Sequence, residues 1–588
     1  MAESNEEGRL FTSAVRRRSL LRGAALGGAG LAAAALLGCG GDEEEDAAAN
    51  APASGGDAKA TTTGELIKDD ALPYPYQYPE PSKQPKPGGI MVFGVNSDIS
   101  TMDTTKASSS GTGRIVNMVY NRLIGFNRGV RLHPFKITFE PELAKSWERS
   151  ADGLVYTFNL REDVKWHNVA PLNGRAFEAA DVKFAYERFA KEGVSKSYWT
   201  ELDKIEAPDK KTVKITLKKP LADFITPLAS AYQTIFPKEL VDSGEIEKKA
   251  IGTGPMILKE ALSAQRVTFD KNPEYWERKV LLDGFEFRFI ADTAARIAAF
   301  RSDQIAFGDI LVSSIQDAKQ LVASNPTVQI NMSPTTQGQP FALNLSNPKF
   351  ADVRVRRAIS MAIDRDEFNN IVYPGVGKIL PMYPWIFALA KEPAAKDLGP
   401  WAQYNPEEAK KQLMAAGAEK LELTNKYYPY SPAYDQLAEV HAAQFKKVGI
   451  DLKGGKAEYT EFNSQWVGAK LPEVSTGGWV TIGFDADNYF YNVIHSASPG
   501  NRHQLKDPKI DELADKGRTE LNPDKRKAIF KQIWDLDLDQ AYHPVVASGS
   551  GFNVLQSWVR GLRFGGALST TNSYQDIGDL VAEAWIDK

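Results

Sequence analysis

The stretch Asp152-Gly153-Leu154-Val155-Tyr156-Thr157-Phe158-Asn159-Leu160-Arg161 decides the fold class. Asp-Gly is a turn dipeptide, and Leu154, Tyr156, Phe158 and Leu160 then fall on one face of a period-2 strand. Downstream, Val182, Ala185 and Phe189 recur at helical spacing within Asp181–Ala190, and Val213, Ile215 and Leu217 alternate again after the turn at Pro208-Asp209. Further on, Asn405-Pro406-Glu407-Glu408 supplies an N-cap, a first-turn proline and two acids at the positive end of a helix dipole, with Gly417 to close that helix. Strand and helix signals alternate in this way from Gly88 onward, which predicts a mixed α/β body. At 588 residues the chain is too long for one core, so two or more lobes are expected.

Charge and cysteine content exclude several classes. The 71 basic side chains nearly balance the 75 acidic ones, and no basic stripe follows Arg22, which argues against a nucleic-acid binder. With Cys39 the only cysteine, neither an internal disulfide framework nor a cysteine-rich zinc site is available. The six histidines, at 133, 167, 441, 495, 503 and 543, show no ligand spacing. No metal and no cofactor is expected.

The N-terminus has the layout of an address. Arg16-Arg17-Arg18-Ser19-Leu20-Leu21-Arg22 precedes the weakly apolar run Ala24–Leu37, and a basic region followed by a short apolar one is the pattern of an export signal. That run is shorter than the ~20 residues a spanning helix needs. The pair Arg17-Arg18 resembles a twin-arginine signal, which exports folded proteins. Leu36-Leu37-Gly38-Cys39 resembles a bacterial lipobox, with the Cys39 thiol as the lipid attachment point. Residues 1–38 are then a removable signal. Residues 39–87, rich in acids, Ala, Gly, Ser, Thr and Pro, read as a disordered tether with a reach on the order of 35–40 Å. The expected location is the bacterial cell envelope, at the outer face of the cytoplasmic membrane or in the periplasm.

Ordered strings along the body carry a resemblance. Pro141-Glu142-Leu143-Ala144-Lys145-Ser146-Trp147 is followed by the 152–161 stretch, by Val164-Lys165-Trp166-His167 and by Ala180-Asp181-Val182-Lys183-Phe184. Then come Gly252-Thr253-Gly254-Pro255, Asn272-Pro273-Glu274-Tyr275-Trp276, and Asp352-Val353-Arg354-Val355-Arg356-Arg357-Ala358-Ile359 with Ala362-Ile363-Asp364-Arg365. In this order the series resembles the family 5 extracellular solute-binding proteins, the oligopeptide, dipeptide and nickel-type receptors of ABC importers. The resemblance implies a two-lobed periplasmic-binding-protein-like clamp with a mixed sheet in each lobe and the ligand cleft between them. It implies one lobe from 88–310 plus 550–588, carrying an inserted subdomain, and a second from 311–549. It also implies a monomeric receptor, not an enzyme, that hands a small solute to permease subunits. Most of the strings themselves read as turn chemistry and packing, with Trp147, Trp166 and Trp276 as core residues.

The resemblance places the ligand site near Gly478-Trp479-Val480-Thr481-Ile482-Gly483-Phe484-Asp485-Ala486-Asp487-Asn488-Tyr489. Peptide receptors of the family carry an acid three residues after the Trp that pairs with the peptide ammonium; here that position is Ile482. A buried ammonium without a carboxylate is strongly disfavoured. Either the solute is neutral at that end, as an oligosaccharide or modified peptide is, or another acid, Asp485, supplies the charge. Trp479, Phe484 and Tyr489 suit a flat apolar wall, with Ile482, Asp485 and Asn488 completing the expected site. Core packing of Tyr489 and Phe490, and helix capping by Asp487 and Asn488, are the structural alternatives. The run Ser108-Ser109-Ser110-Gly111-Thr112-Gly113 suits a helix-starting loop. An exported hydrolase is the rival class, but no G-x-S-x-G, H-E-x-x-H or Walker string is present, and the Asp485/Asp487 pair alone is weak support. Nickel or haem receptors would draw on His167 and His495.

Overall fold

The computed structural model describes residues 84–562 and 577–588, apart from 97, 100, 107–109, 127–137, 310, 313, 334, 339–340, 430–431, 477–484 and 550. Arg17, Arg18, Cys39 and the tether up to residue 83 lie outside the described residues, as do Trp479, Ile482 and Phe484. No helix among the described residues is long and apolar enough to cross a membrane.

The 152–161 stretch forms the expected turn and strand. Gly153 takes φ +74° in the turn, and Val155–Leu160 buries Tyr156, Phe158 and Leu160. It lies inside a four-stranded antiparallel sheet ordered Ala144–Arg149, Val155–Leu160, Thr212–Leu217, Leu202–Asp209. The Ala179–Glu192 helix covers this sheet with Val182, Ala185 and Phe189, all fully buried. One hydrophobic cluster joins this small sheet to a seven-stranded mixed sheet. In the latter, Ile90–Val95 runs parallel to Gly284–Phe289 and Phe307–Gly308, and Gln329–Ser333 pairs antiparallel with Gly551–Leu555. The chain enters this sheet anchored: Lys86 Nζ lies 3.2 Å from Asp587 Oδ1, and the Gly88 N–H donates to Leu281 O at 2.8 Å.

A second sheet pairs Leu421–Tyr427 parallel with Ile450–Lys456, flanked by Val474–Ser475 and Ala342–Leu343. The buried clusters segregate in the same way. Two contain only residues up to 330 or from 554 onward, and three contain only residues 341–547. The chain passes between the two sets twice, after Ser333 and after Gly549. At the first passage the Gly338 N–H donates to Pro381 O at 2.6 Å, and a Cβ on Gly338 would lie 1.8 Å from Leu380 O, so only glycine fits there.

The strings that carry the resemblance act as staples. Trp166 Nε1 donates to Asp181 at 3.1 Å, and Asp181 also takes a bidentate pair from Arg175 and caps its own helix. His167 accepts the Gly252 N–H on Nδ1 at 3.3 Å, so Nε2 carries the proton and donates to Gly254 O at 2.9 Å. Burial pushes this histidine down to about 4, which keeps it neutral. Arg356 holds Phe350 O and Gln540 O, and Arg365 holds Val545 O and Ile363 O. These arginines satisfy carbonyls at helix and strand ends, which is positioning work.

His441 is a second neutral histidine, ringed by Phe341, Phe368 and Phe445 at 4.9, 5.1 and 5.7 Å between centroids. Neither ring nitrogen has a hydrogen-bond partner among the described residues, and burial, with Arg365 nearby, pushes it down to about 3. Above pH 6.5 His441 is neutral in both the folded and unfolded chain. As pH falls from 6.5 towards 3 only the unfolded chain takes the proton, so stability is lost across that window. His441→Phe is expected to recover about 2 kcal/mol of that loss at pH 5. Denaturant titrations at pH 7.5 and pH 5 measure it; an unchanged difference between the two pH values contradicts the assignment.

Candidate ligand site

Asp485 starts a helical turn, Ala486-Asp487, that widens into a π-helix over Asn488–Asn492. Its Oδ1 accepts the Asn488 backbone N–H at 2.7 Å, so the helix start is capped by Asp485. The side chain is only 4% exposed and forms no ion pair among the described residues. The turn then buries its aromatics. Tyr489 and Phe490 lie in the hydrophobic cluster, with Phe490 stacked between Tyr383 at 4.8 Å and Phe530 at 4.4 Å. Tyr489 packs towards Phe387, and Asn488 is also buried.

Around Asp485 the structure gathers four charged residues, Asp487 from the same turn and three from other parts of the chain. Asp487 faces Arg518 at 3.2 Å, and its backbone N–H donates to Asp223 Oδ2 at 3.0 Å. Asp223 receives both Nη groups of Arg526, each at 2.6 Å, while Arg526 Nε donates to Gly517 O at 2.8 Å. The Arg518 guanidinium lies over the Tyr491 ring at 4.2 Å. Two more contacts run the same way: Ala222 N–H to Arg518 O at 3.0 Å, and Arg518 Nη2 to Thr200 Oγ1 at 3.3 Å. The Asp223–Arg526, Ala222–Arg518 and Arg518–Thr200 contacts join the neighbourhood of the small antiparallel sheet to the helix pair Pro508–Thr519 and Pro523–Gln540, and the Asp487 N–H joins it to the turn that starts at Asp485.

Among the described residues the charge count is uneven: three carboxylates share two guanidinium groups. Burial, followed by the charges of Asp223 and Asp487, pushes Asp485 well above the usual carboxylate range, against the Asn488 N–H and Arg526. Asp487 is pushed up to about 6, again chiefly by burial, with Arg518 opposing. Its Oδ1 is buried with no hydrogen-bond partner among the described residues. Tyr198, on the Lys196–Trp199 turn, is pushed up by burial and then by Asp485, with Tyr232 and Tyr489 also within electrostatic reach. The Ser110–Val119 helix backs this wall, since a Cβ on Gly113 would lie 3.1 Å from the Tyr232 ring. Phenol rings and a surplus carboxylate make an environment for a positively charged, partly apolar group.

Of the expected site residues, Asp485, Asn488 and Tyr489 come together on one turn. Asp223, Arg518, Arg526 and Tyr198 have no local pattern in the sequence; Arg526 sits in Asp524-Lys525-Arg526-Lys527, which reads as a solvated helix face. His167 is committed to the 252–254 turn, and His495 stacks on Tyr491 at 4.4 Å with Asp515 3.6 Å away. No group of three or more His, Cys, Asp or Glu among the described residues is placed to hold a metal. The Asp537–His543 pair, 2.6 Å apart, has the form of an acid–base dyad but lies fully buried against Tyr383 and His503.

A raised carboxylate weakens the ligand-free fold at neutral pH. Asp485 is charged in the unfolded chain above pH 3.8, and folding opposes that charge, so the penalty grows as pH rises and vanishes below the unfolded value. Asn at this position keeps the capping oxygen. Asp485→Asn is therefore expected to raise ligand-free stability at pH 7.5 by on the order of 1–3 kcal/mol, with the gain gone by pH 3.5. Calorimetric melting at the two pH values checks this, and a variant less stable than the parent at pH 7.5 contradicts it.

Comparison with known proteins agrees with this architecture. The family profile described as bacterial extracellular solute-binding proteins, family 5, middle region, matches residues 138–501. The heme-binding protein A of Haemophilus influenzae is 27% identical over 75% of this chain and 84% of its own. The dipeptide-binding protein of Escherichia coli is 27% identical over 80% of this chain and 89% of its own. Among solved structures, the periplasmic binding protein DppA of Helicobacter pylori in complex with the peptide STSA superposes with TM-score 0.72 at 25% identity, over 86% of this chain and 99% of that one. These neighbours are two-lobed periplasmic binding proteins, and the mixed α/β body shares their fold. The chain belongs to family 5 of the bacterial extracellular solute-binding proteins.

Proposed function

We propose that this chain is the receptor of an ABC importer for a peptide-type solute bearing a free ammonium group, held by Asp485 in place of the acid that Ile482 replaces. The carrying observation is the surplus carboxylate, since Arg526 is committed to Asp223 and Arg518 to Asp487. Peptide binding by the Escherichia coli and Helicobacter pylori relatives supports the solute class. In this reading one lobe comprises 84–333 with 551–588, carrying the small sheet as its insert, and the other comprises 342–549. This reading puts the border at the first passage between sheets, where the sequence expectation put it at 310/311. After export through the Arg17-Arg18 signal, the lipid on Cys39 holds the receptor at the outer face of the membrane, where it meets the permease. Ligand contacts on both lobes favour the closed clamp, which reports occupancy.

An ammonium placed against a buried carboxylate contributes strongly because losing either partner strands the other. Isothermal calorimetry with di- to pentapeptides is expected to show binding that falls at least about a hundredfold on N-acetylation, a loss of about 2.7 kcal/mol. Equal affinity for free and acetylated peptides, or binding only of neutral oligosaccharides, sinks the ammonium reading. Turnover of chromogenic esters, glycosides or peptides would instead favour the exported hydrolase.

A further inference from the structure

We propose that closure of the clamp is gated by ligand charge, with Asp223 as the gating residue. The proposal rests on the reading above, in which Asp485 meets the solute. Asp485, Asp487, Arg518 and Arg526 all belong to the 342–549 lobe, and together they carry two negative and two positive charges. Asp223 comes from the other lobe, beyond the small antiparallel sheet. When it arrives it takes both Nη groups of Arg526 at 2.6 Å and the Asp487 N–H at 3.0 Å. Among the described residues the cluster then holds three carboxyl groups against two guanidinium groups, in a place where Asp485 is 4% exposed, so the empty closed clamp must bury an unmatched charge or take up a proton.

A lone buried charge is costly, and the cost disappears when a partner of opposite sign is buried with it. The open clamp has no such cost, because its two arginines match its two acids. An empty closed clamp must bury the excess charge or take up a proton to remove it; one closed on a single ammonium group is neutral without that proton. Asp223 thus works in two directions. Its fork to Arg526 and the neighbouring Ala222 N–H to Arg518 O bond at 3.0 Å hold the lobes together. Its charge sets which occupant lets them meet. A neutral solute of the same shape leaves the excess uncompensated, so discrimination between amine and amide is made at closure as well as at Asp485 itself. The gate also keeps empty receptors open and so out of the permease's reach.

The test has two arms on the full chain carrying Cys39→Ala. In the first, spin labels replace Lys204 and Lys411, both exposed and one on each lobe, and the distance between them is measured without ligand. The parent is expected to be mainly open. In Asp485→Asn, where the closed cluster is neutral when empty, the ratio of closed to open is expected to rise at least tenfold. An identical distance distribution in parent and variant overturns the gate whatever the ligand is. In the second arm, calorimetry compares a free and an N-acetylated peptide in the parent and in Asp223→Asn, whose amide can still accept from Arg526. The affinity ratio is expected to narrow at least tenfold. Equal loss for both peptides would mean that Asp223 is only a latch and also overturns the gate. A parent that binds both peptides equally overturns the ammonium reading instead, and the first arm still judges the gate.

Discussion

A carboxylate taken out of water must find a positive partner or a proton; among the described residues Asp485 has no ion-pair partner, and burial pushes its carboxyl well above the usual range. Its neighbours consume the local cations: Asp223 engages both Nη groups of Arg526, and Asp487 faces Arg518. Much of the surrounding structure serves to keep this imbalance in place. The helix start fixes Asp485 through the Asn488 N–H, the stack of Tyr383, Phe490 and Phe530 holds the turn rigid from behind, and Tyr491 carries Arg518.

The strings that carry the family resemblance do structural work. Trp166, His167, Asp181, Arg356 and Arg365 satisfy backbone groups and pack the cores that hold the lobes in shape. Their roles belong to the fold. The surplus carboxylate sits apart from them, on the turn that starts at Asp485. Three neutral histidines belong to the scaffold too: His167 is used as a donor and acceptor, whereas His441 and His503 are simply buried, with His503 also held well down by burial and by His543.

The fold was legible wherever periodicity is local. The strand at Val155–Leu160, the helix at Ala179–Glu192 and the Asn405-capped helix ending at Gly417 all follow from short-range patterns, and each occurs where those patterns put it. Asp485 was legible too, because it lies in a string that could be laid against a family. Its partners were not. Asp223 and Arg526 are 303 residues apart in the chain, and nothing in the charged run around Arg526 distinguishes a buried ion-pair arginine from a solvated one. Nor does spacing tell an aromatic wall from an aromatic core, and Tyr489 turned out to lie in the core. Those distinctions are made by tertiary packing alone.

The central claim is that Asp485 provides the charge that the solute answers. A crystal structure of the protein with the solute it carries on gentle purification tests this most directly. The account predicts a ligand nitrogen within hydrogen-bond distance of the Asp485 carboxylate, with Asp223 still on Arg526. A bound solute that is neutral there, or whose ammonium is held by a different acid, contradicts it.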